Sequence, residues 1–121
     1  MREISILLVE DEVIIAMLMQ KEIMDIGYKV SNHVTTGENA IVIARQNPPD
    51  IILMDIRLAG KIDGIDAASV IKSELDIPVI FITCYDDQSI RDRTQILKPL
   101  GYLIKPLEIY KLKTIIDNYF A

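Results

Sequence analysis

Glu10-Asp11, Asp55 and Lys105-Pro106 each follow directly on a short run of β-prone apolar residues. The runs are residues 4–9 (Ile-Ser-Ile-Leu-Leu-Val), 51–54 (Ile-Ile-Leu-Met) and 101–104 (Gly-Tyr-Leu-Ile). In a parallel sheet the carboxyl ends of neighbouring strands share one edge, so charges this far apart in sequence can meet in one pocket. Three carboxylates gathered there repel one another, and each favours its protonated form unless a cation intervenes. Two acids suit an octahedral Mg²⁺ that keeps several waters and accepts phosphoryl oxygens. Asp55 is then either a third ligand or a nucleophile, since carboxylates serve as phosphoryl acceptors. Lys105 offers a mobile cation, and Thr83, closing another apolar run, offers a hydroxyl donor. Together they would stabilise a loose phosphoryl transition state, where positioning and electrostatics supply most of the catalysis.

Each residue also has a plainer reading. Glu10-Asp11 can cap a helix at its positive dipole end. Asp55 can be a cap or turn residue, and Thr83 an ordinary β-branched strand residue. Lys105-Pro106 can be a turn with proline at a helix start. Their arrival at matching strand ends favours the joint site over the separate explanations.

Positioning these groups requires strands and helices in alternation. Residues 4–9 read as a buried strand, and a helix opening at Asp11 or Glu12 runs to about Ile26, with Gly27 as its stop. Residues 28–34 read as an edge-leaning strand. Residues 38–46 carry Ala40, Ile41, Ile43 and Ala44 at helical spacing, and Asn47-Pro48-Pro49-Asp50 breaks that helix. The unbroken apolar run 51–54 is the kind expected where helices cover both faces of a parallel sheet. A loop over 56–64, containing Gly60 and Asp63-Gly64, leads to a helix over 65–75 and a strand over 78–83. A helix over 86–97 has a thin stripe of Ile90, Thr94 and Leu97. Strand 101–104 and a helix over 107–120, with Leu112, Ile115, Ile116 and Tyr119 on its apolar side, complete the chain. Five strands, five helices and no hairpin predict a parallel sheet with right-handed crossovers. Its functional crevice lies beyond the strands' carboxyl ends, where strand order reverses. Met17, Met19, Met24 and Met54 read as core or near-core filler. Cys84 reads as a small semi-buried side chain. His33, lacking a second histidine, reads as a satisfied strand residue and not a metal ligand.

At 121 residues, half of them apolar, the chain is expected to form one domain over 1–121. It closes on the fifth helix, so no output domain is expected. No apolar run approaches the ~20 residues that span a bilayer, and no signal peptide precedes the first strand, so membrane insertion is not expected and the expected location is cytoplasmic. A single cysteine fits a reducing compartment. The net charge of −5, with Lys and Arg mixed among acids, argues against direct nucleic-acid binding. Neither GxGxxG nor GxxxxGK[ST] follows the first strand, which argues against a nucleotide or flavin site.

Glu10-Asp11, Met54-Asp55-Ile56-Arg57, Asp63-Gly64, Thr83, Tyr102 and Lys105-Pro106, in this order and spacing, resemble the receiver (response regulator) domain of two-component signal transduction. The resemblance covers essentially the whole chain. It implies a flavodoxin-like (βα)5 doubly wound α/β fold in three layers, with strand order 2-1-3-4-5 carried over from the family. It implies that Asp55 accepts a phosphoryl group from a sensor histidine kinase or histidine phosphotransfer protein. Glu10, Asp11, Asp55 and the backbone carbonyl of Arg57 would surround Mg²⁺ (or Mn²⁺), and Lys105 would contact the phosphoryl group beside a cis peptide at Pro106. Thr83 and Tyr102 would form the switch, although a half-buried core role for Tyr102 is an equal alternative. The expected readout is the surface of residues 86–119, meeting a downstream protein target, with homodimerisation possible on phosphorylation. Such a protein is a switch that promotes its own phosphorylation and dephosphorylation, not a conventional turnover enzyme.

Three positions depart from the family pattern. The loop after Asp55 is one residue longer than is usual, with Ala59 where proline is frequent. Cys84 stands where alanine or glycine is usual, and Leu107 where phenylalanine is frequent. Two other functions compete. An aspartate-nucleophile phosphatase would need a second acid two residues after the nucleophile, where this chain has Arg57. A receiver-like interaction module that is never phosphorylated would have no use for the complete acidic set and Lys105.

Overall fold

The computed structural model describes residues 3–121; the first two residues of the expected domain lie outside the described residues. Ten elements alternate: β1 (Ser5–Val9), α1 (Val13–Asp25), β2 (Lys29–Val34), α2 (Gly37–Gln46), β3 (Ile51–Asp55), α3 (Gly64–Glu74), β4 (Val79–Thr83), α4 (Gln88–Ile96), β5 (Gly101–Ile104) and α5 (Ile109–Phe120). The strands form one parallel sheet in the order β2-β1-β3-β4-β5, the flavodoxin-like arrangement. Strand order reverses between β1 and β3, and this places the ends of both, with their acids, side by side.

The period-two alternation of strand side chains divides the core into two layers. Leu7, Val9, Ile52, Met54 and Phe81 face one way and pack with Ala40, Ala44, Ala67, Ala68 and Ile71 of α2 and α3. Ile6, Leu8, Ile51, Leu53, Ile80 and Ile82 face the other way, against Ala16, Met19 and Ile23 of α1 and Leu112 and Ile116 of α5. Each fully buried Leu, Ile or Phe contributes about 1.5–3 kcal/mol relative to exposure. These two layers therefore hold the strand ends in place.

Helix starts are set by local capping. Thr36 Oγ1 accepts from Asn39 N–H to open α2. Asp63 and Asp66 form a reciprocal capping box at the start of α3, and Asp87 accepts from Ile90 N–H to open α4. These caps shift the boundaries expected from periodicity. Helix α4 begins at Gln88 and not at 86, because Asp86 and Asp87 lie outside the first turn. Helix α5 begins at Ile109 and not at 107, since Leu107 packs against the α1/α5 core layer before the turn begins.

Three sequence expectations need correction. Met17 and Met24 are exposed, while Met19 and Met54 are buried. Helix α1 is apolar around much of its circumference, and only the stripe of Ala16, Met19 and Ile23 can meet the sheet. Tyr119 is also exposed, α5 burying Leu112 and Ile116 in its place. Cys84 lies just past the end of β4 and is exposed, not semi-buried. Among the described residues, no helix is long and apolar enough to cross a membrane.

Candidate functional site

The acids reach one another because β1 and β3 are adjacent and in register, Val9 opposite Met54. One carboxylate oxygen from each of Glu10, Asp11 and Asp55 lies within 4.8 Å of the others. Lys105 crosses to them from the end of β5, its Nζ donating to Glu10 Oε1 at 2.5 Å and to Asp55 Oδ2 at 2.8 Å. Its backbone N–H donates to the Thr83 carbonyl at 2.9 Å, so the lysine leaves the sheet at a fixed height. The Lys105–Pro106 peptide is cis. Glu10 is fully buried and Asp55 nearly so. Asp11 is half-buried, at the mouth of the cluster.

Shared use of one lysine splits the two buried acids. Burial pushes the Asp55 carboxyl up; the Lys105 hydrogen bond opposes this and the Glu10 charge adds to it, leaving a value of about 6. Burial acts the same way on Glu10, yet its hydrogen bonds from Lys105 and from Glu12 N–H, the latter at 3.1 Å, outweigh it. Glu10 therefore titrates below the usual carboxylate range. Burial would favour neutral Lys105, but its bonds to Asp55 and Glu10 prevail and raise its affinity for a proton. The site thus holds one firmly ionised acid, one fixed cation and one poised carboxyl. The second oxygen of Glu10 accepts from Glu12 N–H just ahead of α1, but no side chain caps that helix, so the plainer capping reading of Glu10-Asp11 is not realised.

Thr83 is fully buried, and its Oγ1 accepts from Tyr85 N–H at 3.0 Å. Tyr102 is half-buried with its hydroxyl buried and without a hydrogen-bond partner, and the Arg91 guanidinium lies 4.8 Å from its ring centroid. Asp63 belongs to the α3 cap, and Gly64 packs so tightly on the Asp55 carbonyl that a Cβ there would lie 1.9 Å from the oxygen. Glycine at 64 is therefore a steric requirement of the strand end.

Several contacts have no local signature in the sequence. Arg57 lies over the Tyr85 ring at 3.7 Å, joining the β3–α3 and β4–α4 connections. Arg93 on α4 pairs with Asp63 at 2.9 Å and Asp66 at 3.3 Å, tying α4 to the α3 cap. His33 is satisfied, its Nε2 lying 2.8 Å from the Glu10 carbonyl oxygen. Cys84 lines a groove of about 480 Å³ between α1 and the β5–α5 connection, together with Ile15, Leu18, Lys105 and Leu107.

Known proteins are similar to this chain in sequence and in shape. The family model for the response regulator receiver domain matches residues 6–117. Transcriptional regulatory protein PdtaR of Mycobacterium tuberculosis is 31% identical over 107 residues, covering 88% of this chain and 52% of that protein. Phyllosphere-induced regulator PhyR of Methylorubrum extorquens is 31% identical over 115 residues, covering 94% of this chain and 42% of that protein. The chain thus spans about half the length of these relatives. The signal receiver domain of a modulated diguanylate cyclase from Desulfovibrio desulfuricans superposes with a TM-score of 0.89 at 33% identity, over 96% of this chain and 92% of that one. With its family motifs gathered at one edge of a 2-1-3-4-5 sheet, the chain belongs to the receiver domain family of two-component response regulators.

Proposed function

We propose that this domain is a phosphorylation-controlled signalling switch with Asp55 as its phosphoryl acceptor. The observation that carries the reading is the convergence of Glu10, Asp11, Asp55 and Lys105 from three strand ends. An Asp55 carboxylate oxygen attacks phosphorus on a phosphohistidine, the P–N bond breaks, and the imidazole leaves and takes up a proton. Water later hydrolyses the acyl phosphate, releasing inorganic phosphate and restoring the carboxylate. Lys105 moves from its carboxylate partners to a phosphoryl oxygen, which keeps positive charge where negative charge builds. Burial of Glu10 and Asp55 limits water at the reacting atom.

The donor set suits a hard divalent ion. Oxygen ligands from Glu10, Asp11 and Asp55 gather within bridging distance, and a single lysine leaves the three acids in net negative excess. Together with the Arg57 carbonyl they would hold Mg²⁺ or Mn²⁺, which supplies Lewis-acid neutralisation of phosphoryl oxygens.

The phosphoryl group adds about −1.5 to −2 of charge and three strong acceptors. Thr83 then exchanges its bond from Tyr85 N–H for one to a phosphoryl oxygen, and Tyr102, whose hydroxyl lacks a partner, turns into the space released. The readout is the α4–β5–α5 surface, where Ile96, Ile104 and Tyr110 are exposed, ready to meet a downstream target or a second phosphorylated copy. The donor is a sensor histidine kinase or phosphotransfer protein. Its docking place is the α1 side, where Val13, Ile14, Met17 and Leu18 expose an apolar face beside the groove that opens onto Lys105. We assign the whole chain to one such domain acting in the cytoplasm.

Incubation with Mg²⁺ and phosphoramidate or acetyl phosphate, followed by intact-mass measurement, tests this. One added phosphoryl group is expected, decaying over seconds to hours and absent in Asp55→Asn. An unmodified wild-type chain with several donors, a cognate kinase among them, would leave an interaction module as the better account. Turnover of a phosphoester without a lasting adduct would point to a phosphatase.

A further inference from the structure

The β3–α3 connection, residues 56–63, is where the sequence departs furthest from its family pattern. It is tied to the start of α2 at successive points. Thr36 and Ala59 form an isolated parallel bridge. Lys61 N–H donates to Glu38 Oε2 at 3.0 Å. Gly60 adopts φ +97°, and a Cβ there would lie 2.8 Å from Glu38 Oε1, so the loop backbone lies directly on the carboxylate. That Oε1 is buried with no hydrogen-bond partner, so this oxygen lies under the loop while the rest of the half-buried carboxylate reaches its edge. The Lys61 N–H leads the contacts that hold this carboxyl below its usual range, with lesser help from its own and the Ile62 backbone.

A longer loop has more conformations to lose, and each restraint that fixes it in advance lessens what a ligand must overcome. The loop also carries Arg57, which reaches the Tyr85 ring, and Tyr85 N–H in turn occupies the Thr83 hydroxyl. Glu38 thus stands at one end of a continuous line of contacts from α2 through the loop to Thr83.

We propose that Glu38 is a positioning residue for the phosphoryl-acceptor site, clamping the lengthened loop from α2 so that the backbone at Arg57 is set for a divalent ion. This rests on the reading of Asp55, Glu10 and Asp11 given above. Glu38 touches none of the reacting groups; it acts through the loop alone. Its carboxamide analogue keeps one acceptor for Lys61 N–H, whereas alanine keeps none. Gly60→Ala attacks the same contact from the loop side, through both its backbone conformation and its Cβ.

The test titrates Mn²⁺ into the unphosphorylated full chain, reading free ion by electron paramagnetic resonance, with amide hydrogen exchange measured on the same proteins. Glu38→Ala is expected to weaken Mn²⁺ binding about tenfold, the lower end of what loss of an outer-shell support costs, and to speed exchange at Lys61 and Ile62. Glu38→Gln is expected to stay near wild type. Glu38→Ala/Gly60→Ala is expected to be no weaker than the worse single variant, because both act on one contact. Glu38→Ala binding Mn²⁺ as wild type does, whatever its amide exchange, would overturn the positioning role. Equal losses in the Gln and Ala variants would overturn the clamp. A wild-type chain that takes up no Mn²⁺ would instead overturn the underlying site, a failure visible before any variant is compared.

Discussion

Strands β3 and β5 lie one strand apart in the same sheet and differ in almost every physical respect. All five residues of β3 are buried, whereas no residue of β5 is fully buried and Ile104 is exposed. The neighbouring helices repeat the contrast: α3 buries Gly64, Ile65, Ala67, Ala68 and Ile71, while α4 buries Thr94 alone. The β1–β3 half is built to fix charges against their own repulsion, which needs a backbone that does not yield. The α4–β5 half buries fewer side chains and is tied by ion pairs at its rim, the profile of segments that open at low free-energy cost. Lys105 joins the two: anchored on the looser strand, it inserts its charge between acids of the tighter one.

The contrast in packing can be broken most strongly at its tight end. Leu53→Ala is expected to destabilise the fold by about 2–5 kcal/mol in urea titration, because it empties a fully buried site. Ile96→Ala on α4, 79% exposed, is expected to stay within about 0.5 kcal/mol of wild type. Comparable losses at both positions would mean that α4 is as firmly built as β3. Cutting the junction comes next. Lys105→Met is expected to slow phosphorylation by small donors about 10²–10³-fold, the usual effect of losing one donor aimed at developing charge. An unchanged rate would remove Lys105 from the chemistry.

A smaller effect sharpens the electrostatic half of the comparison. In chelator-treated protein the Asp55 carboxyl is expected to titrate at about 6 by carbon-detected NMR, with Glu10 below the ordinary range. Since the folded value for Asp55 is raised, its contribution to stability is present below about pH 4 and lost as the pH rises through about 6. An Asp55 carboxyl titrating like a solvated one would mean that the site is wetter than its burial indicates.

The rigid half was also the legible half. Dense apolar runs ending in acids reported both the strands and the groups at their ends, because burial on two faces leaves an unbroken apolar signature. Helix existence followed from periodicity, but starts moved by one or two residues, at α3 and α4 where Asp63 and Asp87 cap the first turn, and at α5, whose N-cap Glu108 makes no side-chain cap bond. Helix α1 misled, since its apolar residues exceed what one face can bury, and Met17 and Met24 remain outside. The contacts that join connections and helix ends were illegible for a different reason. Arg93 with Asp63, Arg57 with Tyr85 and Glu38 with Lys61 join residues 23 to 30 apart in the chain, through side chains that are ordinary for exposed positions. Only the fold brings them together.

Backbone hydrogen exchange of the full chain with Mg²⁺, with and without phosphoramidate, tests the division of labour most directly. Protection is expected to change in the β4–α4 connection, α4 and β5, while β1 and β3 keep their slow exchange. A phosphorylated chain whose exchange is unchanged there, or changes mainly in β1 and β3, would contradict it.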